Sequence, residues 1–419
     1  MDILLINFVL YIVYTLYIFK KNFKFSLYHL AWSWFTLIAF MGYYAYMIGA
    51  YSTIFKDDGK FVIEPFLFCF LSVFLLLLPI RKFQSDYSIE SYLELDQRKL
   101  AKLGSILLFF ELLRFIVNFI LFVTIFSTTG LSDAYENYHT EGSSALNLAE
   151  WQLKILWITQ HIHDSFFWFI PMIAIVTLNN KDIISRKWLW ITFFTMSAEV
   201  LGYLSRSARG ELLYLILKIG MMMALLWPCL ESAIKKRVIS ASMLLGGLLF
   251  VYAIYITIDR FENSDLDTAD GIFRYLGEPF PNLGNQLWEN VRNHPMGLRF
   301  LPFLFGFEET SSSVGDYQDF WEMFVGVPML NFKTIYGDFY IEFGKYGGLI
   351  GIFILSMIWM FVLRNKNIRW YMIPIWSIYW HTITMAPLYF TYRGTSKYVQ
   401  ILWAIIFMFI IKKYLYKKV

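Results

Sequence analysis

Apolar runs of about 20 residues recur along the whole of this 419-residue chain. Wound as an α-helix at about 1.5 Å per residue, such a run crosses the roughly 30 Å of hydrocarbon in a bilayer. Hydrophobic residues make up 58% and charged residues 16% of the sequence, whereas about a quarter of the residues in a soluble domain are charged. The sequence therefore predicts an all-α polytopic membrane protein, with residues 1–419 forming one integral domain.

Each apolar run is interpreted as one span, which predicts about eleven transmembrane helices. The runs cover residues 2–19, 28–54, 62–80, 103–127, 157–178, 188–205, 211–230, 238–258, 336–363, 370–390 and 398–411. The first run has no basic segment before it and no small-residue cleavage site after it. It is therefore interpreted as a transmembrane helix and not as a signal peptide.

Basic residues are concentrated on alternate connections, which hold roughly 21 of the 36 lysines and arginines. These connections carry Lys20, Lys21, Lys24, Arg81, Lys82, Arg98, Lys99, Lys102, Lys181, Arg186, Lys187, Lys235, Lys236, Arg237, Arg364, Lys366, Arg369, Lys412, Lys413, Lys417 and Lys418. The positive-inside rule then predicts an outer N-terminus and an inner C-terminus. The net charge of +4 does not predict nucleic-acid binding, because these basic residues lie at membrane boundaries.

The opposite connections form the predicted outer face, and the one at residues 259–335 is the longest, at about 75 residues. Long connections of this kind are uncommon and usually functional. Residues 270–276 and 283–291 have helical apolar spacing. Residues 298–307 are apolar and aromatic, which suits a segment lying on the bilayer surface. On the inner side, the polar segment 84–102 is predicted to be an interfacial helix.

Two arginines, Arg206 and Arg209, fall in a short outer connection before the helix predicted to begin near Glu211. A helix N-terminus already carries partial positive charge and free N–H groups, so two more cations there favour a bound anion. The alternative is that the arginines snorkel to lipid phosphates. Glu199 lies two turns before Arg206 and Lys218 two turns after Glu211. Glu199 and Lys218 either line the same polar cavity or form a structural pair.

Three further charged residues lie where the long connection begins, at the predicted membrane surface. Arg260 stands there between Asp259 and Glu262. Arg393 lies in the last outer connection, where an Arg-Gly pair again precedes an apolar run. These positions place two more guanidinium groups on the predicted outer face.

Two ionisable residues inside later runs have alternative interpretations. Asp338 falls in the first turn of its predicted helix, where an acid suits the helix dipole, and it is either a base or the partner of an arginine. His381 lies about three turns before Arg393 and is either a base or a hydrogen-bonded core histidine. Glu111 and Arg114 have the spacing of a structural salt bridge within one helix.

The sequence predicts neither a metal ion nor a cofactor. It contains no P-loop, no dinucleotide fingerprint, no G-x-S-x-G elbow and no H-E-x-x-H motif. Asp265 and Asp267 are interpreted as solvated acids. His161 and His163 lie two residues apart, so their rings are expected on different faces of a helix.

Together these motifs resemble Wzy-type oligosaccharide repeat unit polymerases, which are relatives of the O-antigen ligases. The segments that match are 205–211 (S-R-x-x-R-G-E), 259–262, 336–348 (containing G-D-x-Y-x-x-F-G-x-x-G) and the pair Arg393-Gly394. The resemblance implies a GT-C-like membrane glycosyltransferase in the bacterial cytoplasmic (inner) membrane, with a long helical periplasmic loop. It also implies an undecaprenyl-pyrophosphate-linked oligosaccharide as both donor and acceptor, and it leaves room for a chain-length regulator as a protein partner.

The reaction implied by the resemblance transfers a glycan away from its pyrophosphate, so preorganised positive charge is what the site needs. The residues expected to bind pyrophosphate are Arg206, Arg209, Arg260 and Arg393. The candidates for the base are Asp259, Glu262, Asp338 and His381, in no firm order, and the supporting residues are Glu199, Glu211 and Lys218. Three alternatives stay open: an O-antigen ligase, a flippase for lipid-linked oligosaccharides or polysaccharides, and a membrane O-acyltransferase.

Overall fold

The structure is a computed structural model. It describes residues 3–21, 26–49, 61–84, 87–128, 149–178, 183–205, 209–261, 276–305, 314–329, 333–392 and 395–417. The helices are α1 (Ile3–Lys21), α2 (Leu27–Met47), α3 (Glu64–Arg81), α4 (Gln97–Thr128), α5 (Glu150–Phe166), α6 (Phe169–Leu178), α7 (Ile183–Leu204), α8 (Arg209–Leu226), α9 (Ser232–Phe261), α10 (Val314–Val325), α11 (Thr334–Val362), α12 (Ile373–Met385) and α13 (Thr395–Ile410). Shorter helical segments are Pro279–Asn282, which continues as the π-helix Leu283–Leu287, and the 3-10 turns Lys82–Gln84, Tyr92–Glu94, Trp227–Cys229, Pro302–Phe305 and Trp370–Met372.

Among the described residues, five helices are long and apolar enough to cross a membrane. They are α1, α3, α4, α11 and the segment Lys397–Leu415, which contains most of α13. A sixth span is formed if α5 and α6, which meet at a 51° bend, are counted as one. The protein is therefore a helical membrane protein, as the apolar runs predict.

The contacts between Cα atoms divide the chain into two compact units. Unit 1 consists of Met1–Asp86, Thr257–Lys366 and His381–Lys397. Unit 2 consists of Tyr87–Ile256, Asn367–Trp380 and Tyr398–Val419. The single domain over residues 1–419 and the outer connection 259–335 stay predictions.

In unit 1, α3 and α11 run side by side in the same direction. At the first turn of α3, Glu64 forms an ion pair with Lys345, which lies in the middle of α11. Farther along, the Ser356 hydroxyl donates to the Leu75 carbonyl at 2.6 Å. At the far end Lys82 donates to the carbonyl of Leu363. The partners are 281 residues apart in all three contacts, so the two helices keep one parallel register throughout.

Unit 2 is built around α4, which packs against both α5 and α7. Lys187 at the start of α7 donates to the Ala101 carbonyl at 3.1 Å, and Arg114 pairs with Glu199 farther along both helices. α4 and α7 are therefore parallel. Arg114 also donates to Gln160, which comes before the His163 that contacts Glu111. α5 therefore runs antiparallel to α4.

A short parallel sheet pairs β1 (Ser88–Ile89) with β2 (Asn367–Ile368) in unit 2. The interfacial helix predicted over residues 84–102 is wrong in its first half, because residues 87–90 reach the sheet in extended form and α4 begins only at Gln97. Beside the sheet, Tyr416 donates to the Glu90 carboxylate. Burial and this hydrogen bond raise the pKa of the Tyr416 phenol. Segments from three predicted inner connections therefore meet, and the end of the run over residues 211–230 joins them, since Tyr87 donates to the Leu225 carbonyl at 2.9 Å.

The run predicted as one span over residues 157–178 is bent between α5 and α6. Pro171 explains the bend, because its ring clashes with the carbonyl four residues earlier and it has no N–H to donate. That carbonyl belongs to Phe167, at the break between the two helices. Because of the break, the axes of α5 and α6 differ by 51°. His163 lies near the end of α5, just before the break.

A second break lies inside α11, at Gly344, where φ is 72° and ψ is −173°. A Cβ added at Gly344 would lie 3.3 Å from the His294 ring, and one added at Gly348 would lie 3.1 Å from the Phe339 carbonyl oxygen. Glycines at 344, 347, 348 and 351 form a small-residue stripe of the kind that is typical of close packing between helices. At Gly348 and Gly351 it instead accommodates Phe339, from the part of α11 before the break.

Substituting Gly344 by alanine is expected to lower the free energy of unfolding by about 1–3 kcal/mol, since this backbone conformation is essentially restricted to glycine. Thermal unfolding in detergent measures the loss. Gly247→Ala is the matched control, because Gly247 is helical and has open space around it. The control should be neutral or stabilising by up to about 1 kcal/mol. Equal behaviour of the two variants would contradict a conformational role for Gly344.

Candidate functional site

The arginines predicted to bind pyrophosphate fall at helix ends or beside them in sequence. Arg209 is the first residue of α8, and Arg260 is the last but one of α9. Arg206 and Arg393 lie outside the described residues, as do the side chains of Arg209 and Arg260. Their convergence on one anion stays a prediction.

The end of α7 is anchored just before the arginine-containing connection. Ser205 is fully buried, and both its N–H and its hydroxyl donate to the Leu201 carbonyl, at 2.9 and 2.7 Å. α8 begins four residues later at Arg209. Its first N–H groups and partial positive charge therefore follow directly after a segment that contains Arg206, an arrangement that suits an anionic group.

A buried network of charged side chains joins α4, α5 and α7 in unit 2. Arg114 donates to Glu199 Oε2 at 2.6 Å. His163 Nδ1 lies 3.2 Å from both carboxylate oxygens of Glu111, and its Nε2 lies 3.0 Å from Glu199 Oε2. All four residues are at most 4% exposed. Glu199 is therefore the shared partner of a guanidinium and an imidazole in the interior of the helices.

Polar side chains extend this network in two directions. The Tyr203 hydroxyl donates to Glu199 Oε1. Tyr203 lies two residues before Ser205, so the network reaches the end of α7. Gln160 donates to Asp164 Oδ1 at 2.8 Å, and Asp164 also accepts from Gln400 on α13. The network therefore reaches from α13 to the end of α7.

The network keeps unused hydrogen-bonding capacity. Within the described part of the chain, Arg114 Nε and Nη1 have no acceptor, and the contact of His163 Nε2 with Glu199 is close but poorly directed for a hydrogen bond. The carboxylates of Glu111 and Glu199 and the guanidinium of Arg114 together carry one net negative charge. A doubly protonated His163 imidazole would balance it. A histidine between two carboxylates is suited to holding and passing a proton.

Two sequence interpretations change here. The salt bridge expected between Glu111 and Arg114 within one helix is wrong, because each residue pairs across helices, with His163 and Glu199 respectively. The spacing of His163 and His161 does not predict that His163 belongs to this network. The signal available was an ionisable residue inside an apolar run, which by default indicates a functional group.

The predicted supporting residues are only partly brought together. Glu199 belongs to the network, and the Lys218 ammonium, 5.7 Å from the centroid of the Phe167 ring, lies close enough to Glu199 for the two charges to interact. The side chain of Glu211 lies outside the described residues.

Asp338 lies in a second buried cluster, in unit 1. Arg299 donates to Asp338 Oδ1 at 2.7 Å and to Glu342 Oε2 at 3.2 Å, and all three side chains are 0% exposed. Of the two interpretations of Asp338, the structure has it as an arginine partner. The sequence did not single out Arg299 or Glu342, because nothing local in it indicates that they meet.

Backbone N–H groups supply the remaining partners of this cluster. The Phe390 N–H donates to Asp338 Oδ2 at 2.7 Å. The N–H groups of Gly297 and Arg299 donate to Glu342 Oε1 at 2.8 and 3.1 Å. The cluster therefore holds residues 297–299 and the chain near Phe390 against the start of α11.

Residues of the motif G-D-x-Y-x-x-F-G-x-x-G contact the long connection. The Tyr340 hydroxyl accepts from the Glu289 N–H at 2.9 Å, and its ring stacks on Trp288 with the centroids 4.7 Å apart. Phe343 packs on Phe300, with centroids 5.8 Å apart. With Asp338 and Gly344, these residues attach the long connection to α11. The bilayer-surface segment predicted over residues 298–307 is wrong at Phe300, which is buried, while Phe303–Phe305 are exposed.

Of the other candidate bases, only His381 has a side chain among the described residues. His381 is partly exposed, and its ring lies edge-on to Tyr392, with the centroids 6.0 Å apart. Asp259 is placed in the last turn of α9 by its backbone, and Glu262 lies outside the described residues. Among the described residues there is no group of three or more metal-ligating side chains placed to hold an ion. Asp265 and Asp267 lie outside them.

Comparisons of this chain with protein-family models, with curated proteins and with solved structures find no match.

Proposed function

We propose that the protein is a membrane glycosyltransferase of GT-C-like architecture that polymerises undecaprenyl-pyrophosphate-linked oligosaccharide repeat units. The product would be a lipopolysaccharide O-antigen or capsule chain, assembled at the periplasmic face of the cytoplasmic membrane. The observation that carries the proposal is the helix N-terminus at Arg209, which follows the arginine-containing connection and a helix end fixed by the buried network. Such an N-terminus suits a pyrophosphate group.

The proposal includes eleven spans with an outer N-terminus and an inner C-terminus. In that topology α3 and α11 cross in the same direction, as do α4 and α7, while α5 crosses in the opposite direction. The parallel contacts of α3 with α11 and of α4 with α7, and the antiparallel contacts of α4 with α5, support it. The meeting of predicted inner segments around β1 and β2 supports it as well.

In the proposed reaction the acceptor hydroxyl attacks the anomeric carbon of the donor glycan, and its bond to pyrophosphate breaks. Arginine suits the leaving group, because guanidinium stays charged and binds phosphate through two N–H groups. Arg206, Arg209, Arg260 and Arg393 would supply this charge. A base accepts the hydroxyl proton, and we favour His381, since Asp338 is already held by Arg299.

Replacing Arg209 by alanine is expected to reduce polymer formation by about 10²–10³-fold, the usual loss on removal of a group that stabilises transition-state charge. Arg209→Lys should recover only part of the activity, because lysine lacks the planar pair of donors. The measurement is the ladder of products formed in liposomes from purified protein and undecaprenyl-pyrophosphate-linked repeat units.

The control is Arg364→Ala, an exposed arginine beyond the end of α11, which should leave the ladder unchanged. Protein recovery and thermal stability are measured for each variant. A normal ladder from Arg209→Ala would contradict the proposal. A product formed only when a lipid A core is supplied would assign the protein to the ligases instead.

One observation favours a second function, a transporter of lipid-linked oligosaccharide. α5 and α6 meet at a 51° bend, and the buried His163 network lies beside it. Broken spans that carry ionisable groups are typical of transporters. If liposomes containing the purified protein move the lipid-linked repeat across the bilayer without joining repeats, this second function replaces the first.

A further inference from the structure

An apolar groove of about 360 Å³ lies between α8 and α9 in unit 2. Ile216 and Met223 line it from one face of α8, Trp227 lines it from the 3-10 turn that follows α8, and Val238 and Met243 line it from α9. Along α9 the lining extends from Val238 to Gly246, a rise of about 12 Å at 1.5 Å per residue. The groove is therefore long, narrow and lipophilic, with dimensions suited to a hydrocarbon chain.

Glycine keeps the groove open on both sides. Gly220 and Gly246 are lining residues, and a Cβ added to either would meet no atom within 4 Å. Gly247 also has open space but does not line the groove. The structure thus offers a position where a larger side chain fills the groove and a neighbouring position where it does not.

Three cations stand at one end of the groove, on the first two turns of α9. The Lys235 ammonium lies 5.5 Å from the ring centroid of Trp227, a lining residue. Lys236 and Arg237 follow it and are exposed. None of the ion pairs among the described residues involves these three cations. Glu231 is the neighbouring acid, so the end of the groove carries excess positive charge.

We propose that this groove binds one acyl chain of an anionic glycerophospholipid, whose phosphate is held by Lys235 and Lys236. An apolar groove that ends in excess positive charge matches a molecule with a hydrocarbon chain and an anionic head. The positive-inside rule places these cations on the cytoplasmic side, where anionic lipids are abundant. The inference does not depend on the proposed glycosyltransferase activity.

The test compares phosphatidylglycerol with phosphatidylcholine of the same acyl chains, bound to the purified full-length protein and counted by native mass spectrometry. We expect phosphatidylglycerol to bind tighter by roughly tenfold or more, with the preference shrinking as ionic strength rises. Lys235→Ala/Lys236→Ala should abolish the preference. Gly220→Leu should weaken phosphatidylglycerol binding by roughly tenfold, because leucine occupies the space of the acyl chain.

Gly247→Leu is the matched control and should bind phosphatidylglycerol as the unsubstituted protein does. Equal binding of the two lipids would mean contact with bulk lipid only, and would overturn the proposal. Unchanged binding by Gly220→Leu would overturn it as well, since the chain would then lie elsewhere. So would displacement of phosphatidylglycerol by an equal concentration of undecaprenyl phosphate, which would make the lipid carrier the occupant. Polymer formation is not a readout here, so a failed proposed function leaves the result interpretable.

Discussion

Replacing Arg299 by methionine is expected to lower the free energy of unfolding by about 3–5 kcal/mol, the usual cost of breaking a buried ion pair. The substitution removes the cation that stands between Asp338 and Glu342, and both carboxylates are 0% exposed. Methionine keeps an apolar chain in the space of the arginine stem, so most of the loss reports the missing charge. Thermal unfolding and recovery of monodisperse protein in detergent measure the effect.

Arg292→Met is the control, because Arg292 is an exposed arginine on the same connection, and it should change stability by no more than about 0.5 kcal/mol. A triple variant, Arg299→Met with Asp338→Asn and Glu342→Gln, should regain part of the loss, since no buried charge is then left unpaired. If Arg299→Met were as stable as Arg292→Met, the cluster would not be what attaches the long connection to α11.

The positions of the helices could be predicted from the sequence because apolar length is a local property. The run over residues 62–80 corresponds to α3, and the run over 103–127 lies within α4. The prediction over residues 370–390 fails near its end, where α12 stops at Met385. There the Ala386 and Leu388 carbonyls accept from the N–H groups at the start of α11, and this pairing depends on chain that lies some 50 residues away in sequence.

The candidate site was less predictable, for a related reason. Charged residues inside apolar runs could be recognised one at a time, but their partners were fixed by helix packing. Glu111 was assigned to Arg114 by spacing, whereas the register of α4 against α5 and α7 gives it His163. Nothing in the sequence marks Arg299 as the partner of Asp338, and only the fold of its connection brings the two together. The prediction that arginines meet on the outer face stays a prediction.

The other large effect is expected at Glu199, where a change to methionine should lower the free energy of unfolding by about 3–5 kcal/mol. The loss arises because Arg114, 3% exposed, would keep its charge without the carboxylate now 2.6 Å away. His163 and Tyr203 would lose a partner as well. Glu150→Ala is the matched control, since Glu150 also forms a 2.6 Å pair, with Lys154, but both side chains are more than 70% exposed. That variant should cost no more than about 0.5 kcal/mol.

A double-mutant cycle between Glu199→Met and Arg114→Met separates the pair from the rest of the network. We expect the double variant to be less destabilised than the sum of the single variants by about 2–3 kcal/mol, because removing both charges leaves neither one buried alone. A coupling energy near zero would contradict the pairing of Glu199 with Arg114. The carboxylate at position 199 would then have to be explained by its contacts with His163 and Tyr203, which are the ones suited to moving a proton toward the end of α7.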